Sequence, residues 1–449
     1  MVGPAPPDTP LPRARAPGPG RPRVLIIAEA ANPEWVSVPL IGWFLSQAIA
    51  DVADAHVVTQ IRNADAFERA GLVEGQDFTA IDSEKLNAPA YRWATRLAGG
   101  QGKGWTLLQA AQSLIYPHFE RLVWRRFGAA IARGDYDIVH RITPMSPTSP
   151  SPLAGKCRRA GVPFIVGPLN GGLPWPRAFT RARWQEHEWL SYLRGLYKLL
   201  PHHRAMMSNA AAIIVGSRHT ATEIPAKYHH KTIYIPESAV DLSRFSLTGN
   251  TGQPPPLRGC FIGRMVPYKG PDMLLEAALP HLQAGTLKLD MVGDGPLMET
   301  IRRFVSTHRI EHAVTLWGWV PHKDLQGIAA RSDIFAFPSI REFGGTSILE
   351  TMAIGLVPVI VDYGGPGDNI TNETGFKIPL APRSELIDSL RQTLGDIIAR
   401  PEMLPAMRAR GHARIKALFT WPRRAEQMRE IYDWVLHPDR QKPAPFDPR

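Results

Sequence analysis

Residues 261–270 read FIGRMVPYKG, a short apolar run that ends at Gly263 and is followed by Arg264 and Lys269. Such a run, bounded by a turn, predicts a buried strand of a parallel sheet. In these sheets ligands bind beyond the carboxyl ends of the strands, where loops shape a crevice. A guanidinium grips phosphate oxygens in pairs and an ammonium adds a compact charge, so the two cations together predict a diphosphate-binding loop. Either cation alone would more often be a solvated surface residue.

Similar apolar runs recur on both sides of this stretch and alternate with longer helical patterns. The alternation predicts parallel sheets built from strand, helix, strand units. The first series contains residues 23–28, 55–59, 138–142, 163–167 and 211–215, and the second contains 259–262, 287–292, 314–317, 334–337 and 357–361. Because 449 residues exceed what one hydrophobic core usually fills, we expect an α/β protein with two doubly wound, Rossmann-like domains.

Changes in composition predict the domain boundaries. Residues 1–22 are rich in Pro, Gly and Ala and lack the apolar run of a secretory signal, which predicts a disordered tail. Thr420 and Pro422 supply an N-cap and a first-turn proline for a final helix. The other predicted segments are an N-terminal domain (23–245), a linker rich in Gly and Pro (246–256), a C-terminal domain (257–420), the final helix (421–436) and a tail (437–449).

A second candidate site element, SIREFGGTSILE at residues 339–350, follows the predicted strand 334–337. Its glycine pair would let an anion approach backbone amides at a helix start, where the helix dipole favours negative charge. Glu342 precedes this turn and Glu350 lies one turn into the helix, so their carboxylates could accept hydrogen bonds from sugar and ribose hydroxyls. For Glu350 a capping box that begins at Ser347 is an alternative interpretation.

These motifs together resemble glycosyltransferase family 4, the retaining GT-B glycosyltransferases. The likeness rests on FIGRMVPYKG, on VGDGP at 292–296, and on Glu342 and Glu350 with seven residues between them; GLVPVIV at 355–361 and IPESAVDLSRF at 235–245 are weaker matches. The resemblance implies a GT-B fold, in which two Rossmann-like domains face each other across a cleft and a C-terminal helix crosses back to the first domain. It implies a hexosyltransferase-class enzyme that moves a hexose-type sugar from a nucleotide-sugar donor to a glycan or lipid-linked acceptor.

The resemblance also implies residue roles. Glu342 would face the transferred sugar and Glu350 the ribose. The remaining donor-binding positions, which would contact the diphosphate and the sugar, are Gly263, Arg264, Lys269, Phe343, Gly344, Gly345 and Thr346.

The N-terminal half matches the family less closely. Residues 29–35 (EAANPEW) stand where the family usually has a glycine-rich loop, and GPLNGG at 167–172 could replace that loop or simply form a turn. His140 lies in the predicted strand 138–142, where family members often carry two alternating histidines. It would contact the donor sugar as a catalytic residue, or it is a buried histidine bonded to backbone.

We expect no metal and no cofactor. No Asp-x-Asp segment lies at a predicted strand end, where a divalent cation on a diphosphate would need carboxylates. Arg264, Lys269 and the helix start would instead stabilise the charge on the leaving diphosphate. Cys157 and Cys260 are too few for a disulfide framework and are expected to be buried thiols.

The net charge of +11 is concentrated in the N-terminal half. Residues 91–134 hold seven basic residues and one acidic residue, interleaved with aromatics, and residues 175–204 have a similar composition. This pattern suits an interfacial helix at an anionic membrane surface, or equally a helix whose aromatics face the core and whose bases are solvated. We expect no nucleic-acid partner and, without an evident transmembrane segment, a cytoplasmic protein with the inner membrane face as an optional peripheral site.

Two other classes compete with an active transferase. A non-catalytic protein of the same architecture would bind a nucleotide sugar or a carbohydrate without transferring it. A nicotinamide-dependent oxidoreductase would need Gly-x-Gly-x-x-Gly after the first strand of a domain, and neither domain has it.

Overall fold

The computed structural model describes residues 20–84, 105–171, 173–180, 201–245, 256–444 and 446. Most of the predicted N-terminal tail, nearly all of the predicted linker, residues 181–200 of the second basic stretch and the end of the chain lie outside these ranges.

Seven parallel strands form the N-terminal sheet. They are β1 (Arg23–Ala28), β2 (Asp54–Gln60), β3 (Phe78–Ile81), β4 (Ile138–Thr143), β5 (Phe164–Leu169), β6 (Ala212–Val215) and β7 (Thr232–Tyr234). Their order in the sheet is β3-β2-β1-β4-β5-β6-β7. The helices around this sheet are α1 (Val38–Val52), α2 (Ala64–Arg69), α3 (Trp105–Ala132), α4 (Leu153–Arg159), α5 (Pro201–Asn209) and α6 (Arg218–Glu223).

Six parallel strands form the C-terminal sheet. They are β8 (Leu257–Ile262), β9 (Leu287–Val292), β10 (Val314–Gly318), β11 (Ile334–Phe337), β12 (Val357–Val361) and β13 (Phe376–Ile378). Their order is β10-β9-β8-β11-β12-β13. The helices that follow in the chain are α7 (Pro271–Gln283), α8 (Met298–Thr307), α9 (Leu325–Ala329), α10 (Thr346–Ile354), α11 (Gly364–Asn369), α12 (Arg383–Ala399), α13 (Leu404–Leu418) and α14 (Trp421–Leu436).

Both sheets are doubly wound, as predicted, and each reverses its strand order at one point. The reversal lies between β1 and β4 in the first sheet and between β8 and β11 in the second. At such a switch point the loops after the two strands diverge and leave a crevice. Strands such as β6 (AIIV) and β11 (IFAF) are continuous apolar runs because helices cover both faces of the sheet.

The final helix α14 returns to the N-terminal domain, as the fold prediction required. It begins after Thr420, whose side chain accepts a hydrogen bond from the backbone N of Arg423 at 3.4 Å. The ring of Trp421 stacks on Phe44 of α1 with centroids 5.3 Å apart. Further along, the apolar face of α14 joins the core of the N-terminal domain through Ala425, Met428, Ile431 and Tyr432.

The two domains also meet through a segment that follows β5. Trp175 and Phe179 of this segment are buried in the hydrophobic core of the C-terminal domain. Arg341 donates from Nε to the carbonyl oxygen of Leu173 at 3.0 Å, and its guanidinium lies 5.1 Å from the centroid of the Trp175 ring. The walls of the cleft are therefore in direct contact along this edge.

Candidate active site

The loop after β8 is held by the VGDGP turn. The backbone N of Met265 donates to the carbonyl oxygen of Asp294 at 3.0 Å, and the N of Leu297 donates back to Met265 O at 2.9 Å. Gly293 has a φ of 132°, and a Cβ there would overlap the carbonyl oxygen of Gly263. The glycine therefore allows two loop backbones to touch, and these contacts fix the backbone on either side of the exposed Arg264.

The next residues bring Lys269 to the loop after β11. Both the backbone N of Ile340, at 2.9 Å, and the Ser339 hydroxyl, at 3.1 Å, donate to the carbonyl oxygen of Tyr268. Lys269 Nζ forms an ion pair with Glu342 Oε2, and each side chain is only 16% exposed. The cation and the carboxylate that the sequence assigned to one site therefore meet at the switch point of the second sheet.

The GGPGD turn (residues 364–368), which follows β12 and forms most of α11, supports the backbone of the glycine loop (Phe343 to Thr346). Its Gly365 donates from the backbone N to Glu342 O at 3.1 Å, and a Cβ on Gly365 would overlap the Phe343 carbonyl oxygen. Asn369 donates from Nδ2 to Gly344 O at 3.2 Å. The GGPGD turn thus fixes the backbone that carries Glu342.

Helix α10 begins at Thr346, and its N-cap is Gly345 with a left-handed φ of 67°. Ser347 therefore lies inside the helix, and the capping-box alternative for Glu350 is wrong. The Glu350 carboxylate instead accepts a hydrogen bond from His322 Nε2 at 3.0 Å. Because Arg244 donates to the other ring nitrogen of His322, also at 3.0 Å, the imidazole is the tautomer with its proton on Nε2.

A pocket opens beside Glu350, between the two domains. Its polar end is formed by Arg244, His322 and Thr346. The opposite wall is apolar and is formed by Val36, Leu40, Ile41, Phe44, Phe245 and Trp421. The pocket thus combines charged and polar side chains from both domains with an apolar wall formed mainly by α1 and by Val36, which precedes it, together with Phe245 and Trp421.

His140 is completely buried in β4. Its Nε2 donates to the carbonyl oxygen of Gly167 at 2.9 Å, so its Nδ1 accepts from the Tyr432 hydroxyl at 2.7 Å. Burial lowers the pKa of His140 to about 4, and the ring is neutral at physiological pH. This is the buried, backbone-bonded arrangement that the sequence left open, and it joins the first sheet to α14.

Three residues of the cleft escaped the sequence analysis: Glu237, His322 and Arg341. Glu237 lies inside the IPESAVDLSRF match, but its carboxyl drew no attention there. It is 7% exposed, accepts from Asn170 Nδ2 at 2.7 Å and lies beside Gly344. Burial, with a smaller contribution from the Glu342 charge, raises the pKa of Glu237 to about 7.

Two loops of the N-terminal domain were candidates to face the cleft, and they make different contacts. Asn170 of GPLNGG reaches Glu237, whereas Gly172 lies outside the described residues. In the EAANPEW segment, the Glu29 carboxylate accepts from Arg62 Nη2 at 2.6 Å and the Asn32 side chain donates to Asn63 at 3.2 Å. That segment is therefore tied to its own domain.

The first basic stretch includes α3. Tyr116, Phe119 and Phe127 of this helix are buried in the core of the N-terminal domain, while Arg121 and Arg125 are exposed. Its described part has the alternative arrangement, with aromatics inward and bases solvated. Within the ranges that the structure describes, no helix is both long and apolar enough to cross a membrane, and no three His, Cys, Asp or Glu side chains cluster as metal ligands. Cys157 and Cys260 are free and buried.

The sequence of this chain is similar to those of known glycosyltransferases. Residues 257–396 match a family model described as glycosyl transferases group 1. The phosphatidylinositol N-acetylglucosaminyltransferase GPI3 subunit of Saccharomyces cerevisiae is 27% identical over 173 residues, which covers 38% of this chain and 37% of the yeast protein. A GDP-mannose-dependent monoacylated alpha-(1-6)-phosphatidylinositol monomannoside mannosyltransferase of Corynebacterium glutamicum is 26% identical over 298 residues, covering 62% of this chain and 72% of that protein.

A similar solved structure covers both domains. A glycosyltransferase from Rickettsia africae aligns with a TM-score of 0.62 over 93% of this chain and 99% of its own, at 14% identity. That likeness concerns the fold, while the family-model match lies in the half that carries Lys269 and Glu342. The chain has the GT-B fold, and residues 257–396 of its C-terminal domain are similar to the group 1 glycosyl transferases.

Proposed function

We propose that this protein is a retaining glycosyltransferase that moves a hexose-type sugar from a nucleotide diphosphate sugar to a glycan or lipid-linked acceptor, without a metal ion. The observation that carries the proposal is the contact between Lys269 and Glu342. It joins the loops after β8 and β11, the two strands that flank the switch point, where doubly wound sheets bind their ligands. The group 1 match spans both loops.

In this proposal Arg264 and Lys269 hold the donor diphosphate, together with the backbone of Gly263. The glycine loop, Phe343 to Thr346, contributes amides at the start of α10, where the helix dipole favours an anion. Lys269 neutralises Glu342 in the absence of donor, and the diphosphate would share that ammonium. The cations then stabilise the leaving group without reorganisation.

The two acids of the site bind different parts of the donor, Glu342 the sugar and Glu350 the ribose. Glu342 accepts a hydrogen bond from the transferred sugar and stabilises the positive charge that develops at its anomeric carbon. Glu350 accepts from the ribose, and its orientation is set by His322, which Arg244 holds in turn. A carboxylate suits both tasks because it presents two acceptor oxygens.

The reaction that we propose keeps the anomeric configuration. The bond between the anomeric carbon and the diphosphate oxygen breaks, and the acceptor oxygen bonds to that carbon on the same face. The acceptor proton passes to the departing phosphate oxygen. Glu342 therefore stabilises charge and does not form a covalent bond to the sugar.

A lipid-linked acceptor is supported by two observations. The names of both relatives identify phosphatidylinositol-based acceptors. The pocket beside Glu350 has an apolar wall, and Trp35 and Val36 at the edge of that wall are 44% and 66% exposed. We propose action at the cytoplasmic membrane face, with the basic face of α3 oriented toward anionic lipid. Sedimentation with anionic vesicles at low salt should carry the protein down, and its failure to do so would remove the membrane part.

The competing function is a binding protein of the same architecture that does not transfer sugar. Incubation with donor and acceptor separates the two, because only a transferase releases free nucleoside diphosphate. We favour the transferase, since the cation pair and both acids are present in one cleft.

Donor binding is tested by thermal shift with uridine, guanosine and adenosine diphosphates, since a ligand that binds the folded state alone raises the unfolding temperature. We expect at least one diphosphate to stabilise the wild type. Arg264→Ala and Lys269→Ala should each weaken that affinity about tenfold or more, because a charged hydrogen bond contributes about 1.5–3 kcal/mol. Arg303→Ala removes an exposed cation of α8 and serves as the matched control. Equal affinities in all four proteins would contradict the proposed diphosphate site.

A further inference from the structure

Glu237 lies where the two domains face each other. It belongs to the segment that leaves β7, and its Oε2 is close to Gly216 at the end of β6. Its Oε1 points across the cleft: it lies 2.7 Å from the position that a Cβ on Gly344 would occupy. The neighbouring hydroxyls of Ser238 and Thr346 are 2.8 Å apart and bridge the same two domains. The Glu237 carboxyl thus reaches from the N-terminal domain to the glycine loop, which belongs to the domain that carries Glu342.

The surroundings of Glu237 do not suit a negative charge. Its Oε2 accepts one hydrogen bond, from the Asn170 amide, and among the described residues Oε1 has no hydrogen-bond partner. The Lys269 ammonium forms its ion pair with the neighbouring carboxylate, Glu342, and not with Glu237. The buried guanidinium of Arg424 in α14 donates instead to the carbonyl oxygen of Ser238 at 3.1 Å. A carboxyl in this position holds its proton more tightly than an exposed carboxyl does, because a buried charge needs more than one amide to replace water.

We propose that Glu237 is a further residue of the sugar subsite: as a neutral carboxylic acid, it donates a hydrogen bond from the N-terminal domain to the sugar whose hydroxyl Glu342 accepts. This inference rests on the proposed function. A hexose presents hydroxyls that both donate and accept, so an ionised acid on one side and a protonated acid on the other satisfy different oxygens. Two carboxyls whose environments separate their protonation states can divide roles in this way.

The proposed contact reaches the sugar from the domain opposite Glu342. Glu342 belongs to the donor domain, whereas Glu237 belongs to the opposite wall. A donor without its sugar would occupy the diphosphate and ribose contacts but leave Glu237 unused. The affinity gained from the sugar, measured as the Kd of the nucleoside diphosphate divided by that of the nucleotide sugar, therefore isolates this residue.

The experiment measures that ratio by calorimetry for UDP-glucose against UDP and GDP-mannose against GDP, between pH 6 and 8. We expect the wild-type ratio to fall as pH rises through about 7, because the acid loses the proton it donates. Glu237→Gln keeps a neutral donor, and its ratio should stay within about threefold of the wild type at pH 6 without the pH dependence. Glu237→Ala should lower the ratio about tenfold at pH 6 and leave diphosphate affinity unchanged.

Asp333→Asn is the matched control, because Asp333 is another buried carboxyl, placed at the opposite end of the second sheet. For Asp333→Asn, the Kd of the nucleoside diphosphate divided by that of the nucleotide sugar should equal the wild-type ratio at every pH. A purely structural role for Glu237 predicts the same curve for the wild type and Glu237→Gln, and that result would overturn the inference even if Glu237→Ala failed to fold.

The two levels of the proposal fail differently. If the wild type binds no diphosphate, the proposed function and this inference fall together. If the wild type binds diphosphates and nucleotide sugars, but the ratio of their Kd values changes neither with pH nor on substitution of Glu237, only the inference falls.

Discussion

At the scale of single residues, the cleft shows why charge pairs were easier to foresee than buried polar groups. Lys269 and Glu342 both occur in motifs at strand ends, so their meeting could be predicted from sequence. His322 and Glu237 could not, because their roles depend on partners that are distant in the chain, such as Asn170 for Glu237. Glu350 was expected at the site, but its histidine partner was not.

His140 gives a stability prediction at this scale. Its pKa is about 4 in the folded protein and about 6.5 when unfolded, so between these values only the unfolded chain binds the proton. Folding stability should therefore fall as pH drops from 6.5 to 4, by about 3 kcal/mol in total for this residue. His140→Gln should be less stable at pH 7.5 but lose less stability on acidification.

The measurement is the thermal unfolding midpoint at pH 7.5 and pH 5. His312→Gln, which alters an exposed histidine, should retain the wild-type dependence on pH. A His140→Gln midpoint that shifts as much as that of the wild type would show that the buried imidazole does not contribute.

At the scale of elements, the strands with long apolar runs were predicted with nearly their observed bounds. β1, β9, β11 and β12 begin and end where the sequence placed them. The strands β3, β7 and β13 were missed, and all three are short edge strands. Edge strands pair on one side only and need no continuous apolar run, so their pattern does not stand out from a loop.

Two turns at strand ends, VGDGP (292–296) and GGPGD (364–368), have a supporting role in the structure. VGDGP and GGPGD do not themselves provide a cation or an acid of the donor site. They hold the backbones that carry Arg264 and Glu342, through contacts that only glycine allows. Their value to the site lies in positioning.

Gly293→Ala tests this supporting role. The new methyl group would overlap the Gly263 carbonyl oxygen and force the Arg264 loop to move, so diphosphate affinity should fall about tenfold or more. Gly285→Ala is the control, since Gly285 also has a left-handed φ, 69°, but no atom within 4 Å of the new methyl group. Gly285→Ala should lose about 1 kcal/mol through backbone strain, Gly293→Ala should lose more because of the overlap, and only Gly293→Ala should lose affinity. Equal affinities would mean that the turn does not set the loop.

At the scale of the whole molecule, the two-domain architecture followed from the sequence but the way the domains touch did not. The doubly wound sheets and the returning helix were predicted and are confirmed. The insertion of Trp175 and Phe179 into the core of the other domain was not predicted. Contacts such as Arg341 to Leu173 join residues far apart in the chain, and no local pattern encodes them.

The molecule joins a C-terminal domain similar to the group 1 glycosyl transferases to an N-terminal domain with its own features. The C-terminal domain carries the cations, both acids of the motif and the glycine loop. The N-terminal domain contributes Glu237, most of the apolar wall of the pocket and the exposed Trp35 and Val36. In the proposed reaction, transfer would require both domains, because the sugar would lie between them.

The most direct test of sugar transfer at this cleft is the release of nucleoside diphosphate from UDP-, GDP- and ADP-sugars in the presence of phosphatidylinositol vesicles and a chelator. We predict release by the wild type, a glycolipid product that keeps the donor's anomeric configuration by NMR, and a rate about 10²–10³ lower in folded Glu342→Ala, since preorganised electrostatic groups contribute about that much. Near-normal transfer by Glu342→Ala, loss of wild-type activity on chelation, or an inverted product would contradict it.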